Sequence, residues 1–140
     1  MKSKKGHRQL ILVVSYLAIW GIALIHFWFF LDGADAMGYG LLYLWILLPV
    51  TTLFLSVLIG RNNYWGKLKW LSSIVFGVMY MLAAYATFSA ANMVAFNKIN
   101  LPDFWMILAG SIISLIGLVI GTAVRHIDKK RRHPQPQYRK

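Results

Sequence analysis

Four long apolar stretches, separated by short polar segments, dominate this chain of 140 residues. They cover residues 10–31, 39–60, 70–91 and 104–124, and none contains Asp, Glu, Lys or Arg away from its ends. About 20 apolar residues are needed for a helix to cross roughly 30 Å of hydrocarbon. Backbone groups in hydrocarbon must be hydrogen-bonded within their own segment, and the alternating pattern of a membrane barrel is missing from the sequence. Each stretch therefore predicts a transmembrane helix.

The connections between these stretches are short and span residues 32–38, 61–69 and 92–103. Connections of this length predict that consecutive helices lie side by side and antiparallel, and they leave no room for a soluble domain. We therefore predict an all-α integral membrane protein in which residues 1–140 form a single membrane domain. It is expected to be an antiparallel bundle of four transmembrane helices, followed by a basic cytoplasmic tail at residues 125–140.

The charged residues are distributed unevenly among these connections. All Lys and Arg residues except Lys98 lie before the first stretch, between the second and third, or after the fourth. The two other connections carry Asp32, Asp35 and Asp103. Because short cytoplasmic loops retain Lys and Arg, this pattern predicts a multi-pass protein of the cell membrane with both termini in the cytoplasm. The topology also accounts for the net charge of +11, so we expect no nucleic-acid partner.

The composition narrows the possible chemistry. With 59% hydrophobic and 14% charged residues, the chain is too apolar to cover a soluble domain with polar surface. The absence of Cys excludes thiol redox catalysis, disulfide bonds and thiolate metal sites. The sequence contains no nucleophile–base pair, paired intramembrane acids, metal-ligand spacing or phosphate-binding loop. We therefore expect a protein that is not an enzyme and that binds no cofactor or metal.

Two features of the sequence leave alternatives open. The basic start, apolar run and Ala34-Asp35-Ala36 resemble a cleaved secretory signal, but the run is longer than the roughly 7–15 residues of a signal core, so an uncleaved helix is preferred. Residues 44–48 and 104–108 are similar to each other. This similarity fits either a parallel internal repeat or two membrane helices that converge in composition.

The fourth stretch carries small residues at spacings of four, three and four, which places them on one side of a helix. Small residues allow another helix backbone to come close within a membrane. This predicted helix-packing seam fits packing inside the bundle, with Ser73, Gly77 and Ala84 of the third stretch as partners. It also fits an interface with a second protomer. The small-residue seam comprises Gly110, Ser114, Gly117 and Gly121.

His26 is the one His, Asp, Glu, Lys or Arg well inside a predicted span, which makes it a candidate functional residue. Its spacing from Ser15 predicts that both side chains face into the bundle. Together with Thr52 and Ser56 they form a candidate intramembrane polar path. A single His without a carboxylate is a poor proton relay, so the simpler interpretation is a neutral, hydrogen-bonded imidazole.

Two further features concern the second stretch and the tail. Pro49 lies within the second stretch and predicts a kink, with Thr51 or Thr52 available to satisfy the freed carbonyl. The prolines at 134 and 136 predict an extended or disordered end over residues 133–137. Four adjacent basic residues before them predict a contact with anionic lipid headgroups. These are Lys129, Lys130, Arg131 and Arg132.

The sequence favours a non-catalytic membrane protein, either an accessory subunit or an oligomeric interaction module. Its expected partners are membrane lipids, including anionic headgroups, and a second copy of the chain or a larger membrane protein. The alternative is a small transporter or channel protomer that works as a homo-oligomer and uses the polar path. Convergence of the path residues on one internal cavity would favour this alternative.

Overall fold

A computed structural model describes residues 2–132 of the chain. Within this range all regular secondary structure is helical, and four helices are long and apolar enough to cross a membrane. The prediction of an all-helical chain with four possible membrane spans is confirmed. The extended end predicted over residues 133–137 lies outside the described residues. The helices are α1 (Lys2–Phe30), α2 (Ala36–Asn62), α3 (Gly66–Phe96) and α4 (Trp105–Arg132).

The helices extend beyond the predicted apolar stretches. Helix α1 begins at Lys2 rather than at residue 10, and α4 continues to Arg132 rather than ending at 124. The predicted tail at residues 125–140 is therefore helical as far as Arg132. Hydropathy marks the part of a helix suited to hydrocarbon, whereas the backbone remains helical beyond it because Lys, Arg and Gln are good helix formers.

Helices α2 and α3 contain irregular turns. A short 3₁₀ turn at Gly33–Asp35 precedes α2, which is π-helical over Gly40–Leu47 and α-helical from Leu48 onward. Helix α3 starts with a 3₁₀ turn at Gly66–Trp70 and is π-helical over Tyr85–Ser89. A π-helix bonds each carbonyl to the amide five residues later, so both helices are locally wider than an α-helix.

The turn between α2 and α3 reverses the chain within a few residues. Asn63, Trp65 and Gly66 have positive φ angles of 49°, 58° and 56°. Asn and Gly adopt this left-handed conformation readily, whereas a bulky residue such as Trp65 rarely does. Between them, Tyr64 is buried in the core and anchors the turn against the helices.

Helix α4 packs closely against both α2 and α3, while α1 lies at the periphery and packs less closely against the same two helices. Among the described residues of α1, the buried side chains are Tyr16, Ala23 and Phe27. One core cluster lies toward the α2–α3 turn and a smaller one toward the other end of the helices. The first contains Tyr16, Leu55, Ile59, Tyr64, Phe76 and Leu118, and the second Leu44, Leu48 and Ala83.

Candidate functional site

The small-residue seam of α4 is divided between two neighbouring helices. Gly117 and Gly121 face α2, where an added Cβ on Gly117 would lie 2.7 Å from the Leu53 carbonyl oxygen. Gly110 instead faces α3, where an added Cβ would lie 2.9 Å from the Cα of Gly77. Glycine thus allows backbone-to-backbone contact on both sides of α4. The four seam residues are buried inside the chain, so this seam is not available as an interface with a second protomer.

Hydroxyl groups along the same contacts are bonded from helix to helix. Ser56 of α2 and Ser114 of α4 share a hydrogen bond of 2.8 Å between their Oγ atoms, and both side chains are fully buried. Ser73 of α3 donates from Oγ to the carbonyl oxygen of Ser111 at 2.8 Å. These hydroxyls therefore hold α2 and α3 against α4, because a hydroxyl in an apolar interior needs a partner.

The candidate polar path does not assemble into one chamber. Ser15 is exposed on the outer side of α1, so the prediction that it faces into the bundle is wrong. The buried stripe of α1 is displaced by one residue, to Tyr16 and Phe27. Thr52 and Ser56 are buried, and Ser56 bonds to Ser114 of α4. The cavity between α1 and α3 and the cavity between α2 and α3 are lined by other residues. Within residues 2–132, these side chains do not line one continuous opening.

His26 lies in a group of stacked aromatic rings near the end of α1. Its ring centroid is 5.1 Å from that of Tyr43 and 6.0 Å from those of Phe30 and Tyr39. The Tyr39 hydroxyl donates to the carbonyl oxygen of Ala23 at 2.8 Å, which fixes α2 against α1 at this level. The Nδ1 atom of His26 is buried and has no hydrogen-bond partner among residues 2–132. The hydrogen-bonded imidazole expected from the sequence is therefore not formed at this nitrogen.

Pro49 follows directly after the π-helical part of α2. Leu48 donates its amide hydrogen to the Tyr43 carbonyl, five residues earlier. In this register the Leu44 carbonyl would pair with residue 49, but a proline has no N–H. The Tyr80 hydroxyl of α3 donates to the Leu44 oxygen at 2.9 Å. A tyrosine from a neighbouring helix, rather than Thr51 or Thr52, thus satisfies the carbonyl that the proline leaves free.

The basic cluster Lys129, Lys130, Arg131 and Arg132 occupies the last turn of α4 and is exposed. Earlier in the same helix Asp128 pairs with Arg61 of α2 at 3.3 Å, an exposed pair that contributes little stability. Lys69 is buried at this end of the helices, and its Nζ donates to Thr122 Oγ1 at 3.0 Å. The Lys69 amine also lies 5.4 Å from the Trp70 ring centroid. The long aliphatic part of Lys69 packs inside while its amine binds to α4.

The acidic residues of the described part of the chain lie at helix starts and at one ion pair. Asp103 accepts a hydrogen bond at 3.1 Å from the Trp105 amide and caps the start of α4. Asp32 precedes the 3₁₀ turn before α2, and Asp35 is its last residue. Within residues 2–132, no group of three or more His, Cys, Asp or Glu side chains is placed to hold a metal ion.

Several residues that join the helices were not identified from the sequence. Trp20 donates from Nε1 to the Met79 carbonyl at 3.0 Å, and Trp28 donates to the Ala86 carbonyl at 3.0 Å. Both bonds join α1 to α3. A Trp in an apolar span carries an N–H that needs an acceptor, so this signal is present in the sequence. The acceptors are backbone carbonyls on another helix, which no residue pattern identifies.

Comparison with known proteins does not identify a family for this chain. No protein-family model, curated protein or solved structure matches the chain.

Proposed function

We propose that this chain is a non-catalytic interaction protein of the cell membrane, either an accessory subunit or a module of a homo-oligomer. The observation that carries this proposal is the apolar connection, defined as residues 94–101, which comprises the end of α3 and the first residues of the chain that leads to α4. Its apolar side chains are largely exposed: Val94, Phe96, Ile99 and Leu101 have exposed fractions of 78%, 69%, 90% and 82%. Clustered apolar groups at the end of a bundle are typical of a surface that another protein or the membrane interface covers.

The buried polar groups support a structural role over a catalytic or transporting one. The hydroxyls of Ser56, Ser73 and Tyr80 are all bonded to a neighbouring helix. A transport path needs polar groups that face a shared opening, and these face helix contacts instead. Because the small-residue seam is filled inside the chain, a homo-oligomer would have to use another surface, and the apolar connection is available for this.

The proposed topology has consecutive helices antiparallel and both termini in the cytoplasm. The uneven distribution of Lys and Arg supports it. The order of the contacts also supports it. Trp20 bonds to Met79 and Trp28 bonds to Ala86, so α1 and α3 run in the same direction. Two alternate helices of one up-and-down bundle should run in the same direction. In this orientation the basic cluster at Lys129–Arg132 meets anionic headgroups of the inner leaflet.

Cysteine labelling tests the topology, because the chain has no Cys of its own. Cysteines introduced at Ala34 and Asn97 should react with a membrane-impermeant maleimide in intact cells. A cysteine at Asn63 should react only after the membrane is permeabilised. The opposite pattern would reverse the orientation and remove the basis for a cytoplasmic basic cluster.

Affinity purification in a mild detergent, followed by mass spectrometry of the intact complex, tests the interaction role. We expect a stable partner or a second copy, and we expect the complex to be lost in the double variant Ile99→Ser, Leu101→Ser. Ile127→Ser, at the opposite end of the helices and also exposed, is the matched control and should retain it. A monomer without a partner in native membranes, or a complex that both sets of variants leave intact, would refute the proposal.

A transporter protomer is the second candidate, and the observation that favours it is the buried Nδ1 of His26, which has no hydrogen-bond partner among residues 2–132. An ionisable group in a span without a partner has a cost that function can explain. The test is flux of protons or cations into proteoliposomes across a pH gradient. Flux that disappears in His26→Leu and persists in Ser15→Ala would establish this candidate in place of the first.

A further inference from the structure

An apolar cleft separates α1 from α3 near the end of the helices where most Lys and Arg residues lie. Its volume is about 360 Å³. Side chains of α1 and α3 form its two walls, and α2 forms its floor, so it is enclosed on three sides. The α1–α3 cleft is lined by, among others, Leu12, Leu17, Leu68 and Val75 on the walls and Leu55 and Ile59 on the floor.

The cleft is closed at one end and therefore has a defined depth. The hydrogen bond from Trp20 to the Met79 carbonyl joins α1 to α3 and ends the gap between them. From Leu12 to Trp20 the helix rises about 12 Å at 1.5 Å per residue. One leaflet of a bilayer has a hydrocarbon depth of about 15 Å, half of the roughly 30 Å core. A transmembrane helix of a partner would need a groove along the whole bundle, whereas a single acyl chain fits a gap that ends half-way.

A basic depression adjoins the open end of this cleft. It is lined by Lys4, Lys5, Gly6, Arg8, Gln9, Asn62 and Tyr64, a set without a carboxylate. Arg8 lies one helical turn before Leu12, and the ring of Tyr64 contacts that of Trp65, which lines the cleft. The one Asp among the described residues near this end, Asp128, is paired with Arg61. The depression thus carries three cationic side chains that no lining residue neutralises.

We propose that the cleft and the depression together bind one anionic phospholipid. One acyl chain lies in the α1–α3 cleft, and the phosphate and headgroup lie against Lys4, Lys5 and Arg8. The apolar and the cationic parts follow each other along α1 in the order of a phospholipid's chain and headgroup. The three cationic side chains without a carboxylate in the lining favour an anionic headgroup over a zwitterionic one. The inference rests on the proposed membrane insertion but is independent of the accessory or oligomeric role.

Photo-crosslinking of the unmodified chain locates the acyl chain directly. The purified full-length protein in nanodiscs is illuminated with phosphatidylglycerol that carries a diazirine in one acyl chain, and labelled peptides are mapped by mass spectrometry. We expect labels concentrated at residues 12–17 and 68–79. Labels spread evenly over the outer faces of all four helices would show ordinary surrounding lipid and would overturn the proposal.

Variants of matched exposure separate the site from general lipid contact. Val75→Trp fills the cleft, while Val119→Trp places the same side chain on α4, and the parent residues are 54% and 55% exposed. We expect retention of phosphatidylglycerol after detergent extraction, measured by native mass spectrometry, to fall severalfold in Val75→Trp alone. Equal retention in both variants would refute occupancy of the cleft. Helical content by circular dichroism shows that each variant is folded.

Charge variants test the headgroup half of the site. Removing two cationic side chains with Lys5→Gln and Arg8→Gln should lower phosphatidylglycerol retention roughly thirtyfold, because each basic residue near an anionic surface contributes about a factor of five. Retention of phosphatidylcholine should not change. The control, Lys67→Gln with Arg125→Gln, removes the same charge from residues that line neither the cleft nor the depression. An equal loss in that control would show a diffuse electrostatic effect and overturn the assignment of the headgroup.

Discussion

Gly121→Ala tests whether the close contact between α4 and α2 holds the fold together. An added Cβ at this position would press on the Val57 carbonyl and lie 2.8 Å from the Arg61 backbone nitrogen. Both neighbours are backbone atoms and cannot rotate away, so α4 would have to move outward. Contacts at the other positions of the interface would then lengthen, including the one between Gly117 and Leu53.

The cost of Gly121→Ala follows from these contacts. Inserting a methyl group into a tightly packed interface costs typically about 1–3 kcal/mol. Weakening the neighbouring hydrogen bond between Ser56 and Ser114 adds about 0.6 kcal/mol, the average for such bonds in a membrane bundle. The free energy of unfolding should therefore fall by about 2–3 kcal/mol. For a chain of this size, this corresponds to a fall in the apparent melting temperature of roughly 5–10 °C.

Thermal unfolding in detergent, followed by intrinsic Trp fluorescence, measures this fall. Gly21→Ala is the control, because an added Cβ at Gly21 in α1 would meet nothing within 4 Å. That change should leave the melting temperature unchanged or raise it, since Ala favours a helix over Gly by about 1 kcal/mol. If Gly121→Ala is as harmless as Gly21→Ala, the close approach of α4 to α2 is not a source of stability.

Three further substitutions can be measured by the same unfolding assay. Tyr80→Phe should lower the free energy of unfolding by about 0.5–1.5 kcal/mol, because it removes the hydrogen-bond donor to the Leu44 carbonyl. The loss should be smaller in the Pro49→Ala background, where residue 49 has an N–H of its own. An equal loss in both backgrounds would show that Tyr80 does not compensate for the N–H that Pro49 lacks. His26→Phe should keep the ring stacking and leave the melting temperature equal or higher, because no unpaired buried nitrogen remains; a clear fall would show that Nδ1 has a partner. Ser114→Ala should lower the free energy of unfolding by about 0.6 kcal/mol. Adding Ser56→Ala should lower it little further, because the two substitutions remove the same hydrogen bond; additive losses would contradict that bond.

The span pattern was predictable because it depends on local composition alone. A helix in hydrocarbon satisfies its own backbone, so an apolar stretch of sufficient length specifies a helix without knowledge of its neighbours. The same reasoning misplaces the helix ends. Lys2 and Arg132 lie outside any apolar stretch, yet residues 2–9 and 125–132 continue their helices.

The rotation of α1 was not predictable from its spacing. Ser15 and His26 lie on one stripe of the helix, and Tyr16 and Phe27 lie on the next, about 100° away. Both stripes are rich in apolar residues, so hydropathy does not distinguish the buried one. The structure buries Tyr16 and Phe27, because their rings fill space against α2 and α3.

The partners of the small-residue seam depend on the packing of whole helices. Spacing placed Gly110, Gly117 and Gly121 on one side of α4, and it suggested α3 as their partner. In the structure Gly110 packs against α3, while Gly117 and Gly121 pack against α2. The seam lies where α4 contacts both helices, and a single sequence does not specify which helix approaches which glycine.

The π-helical part of α2 bears on how the length of this chain can vary. Over Gly40–Leu47 each hydrogen-bonded ring holds one residue more than an α-helical ring does. A deletion of one residue from this segment, such as Leu42, would let the backbone close into an ordinary α-helix. The helix from Pro49 onward would keep its register with α4. We therefore expect related chains to tolerate a one-residue gap here, whereas a gap between Leu53 and Gly60 would disturb the contacts of α2 with Gly117 and Gly121.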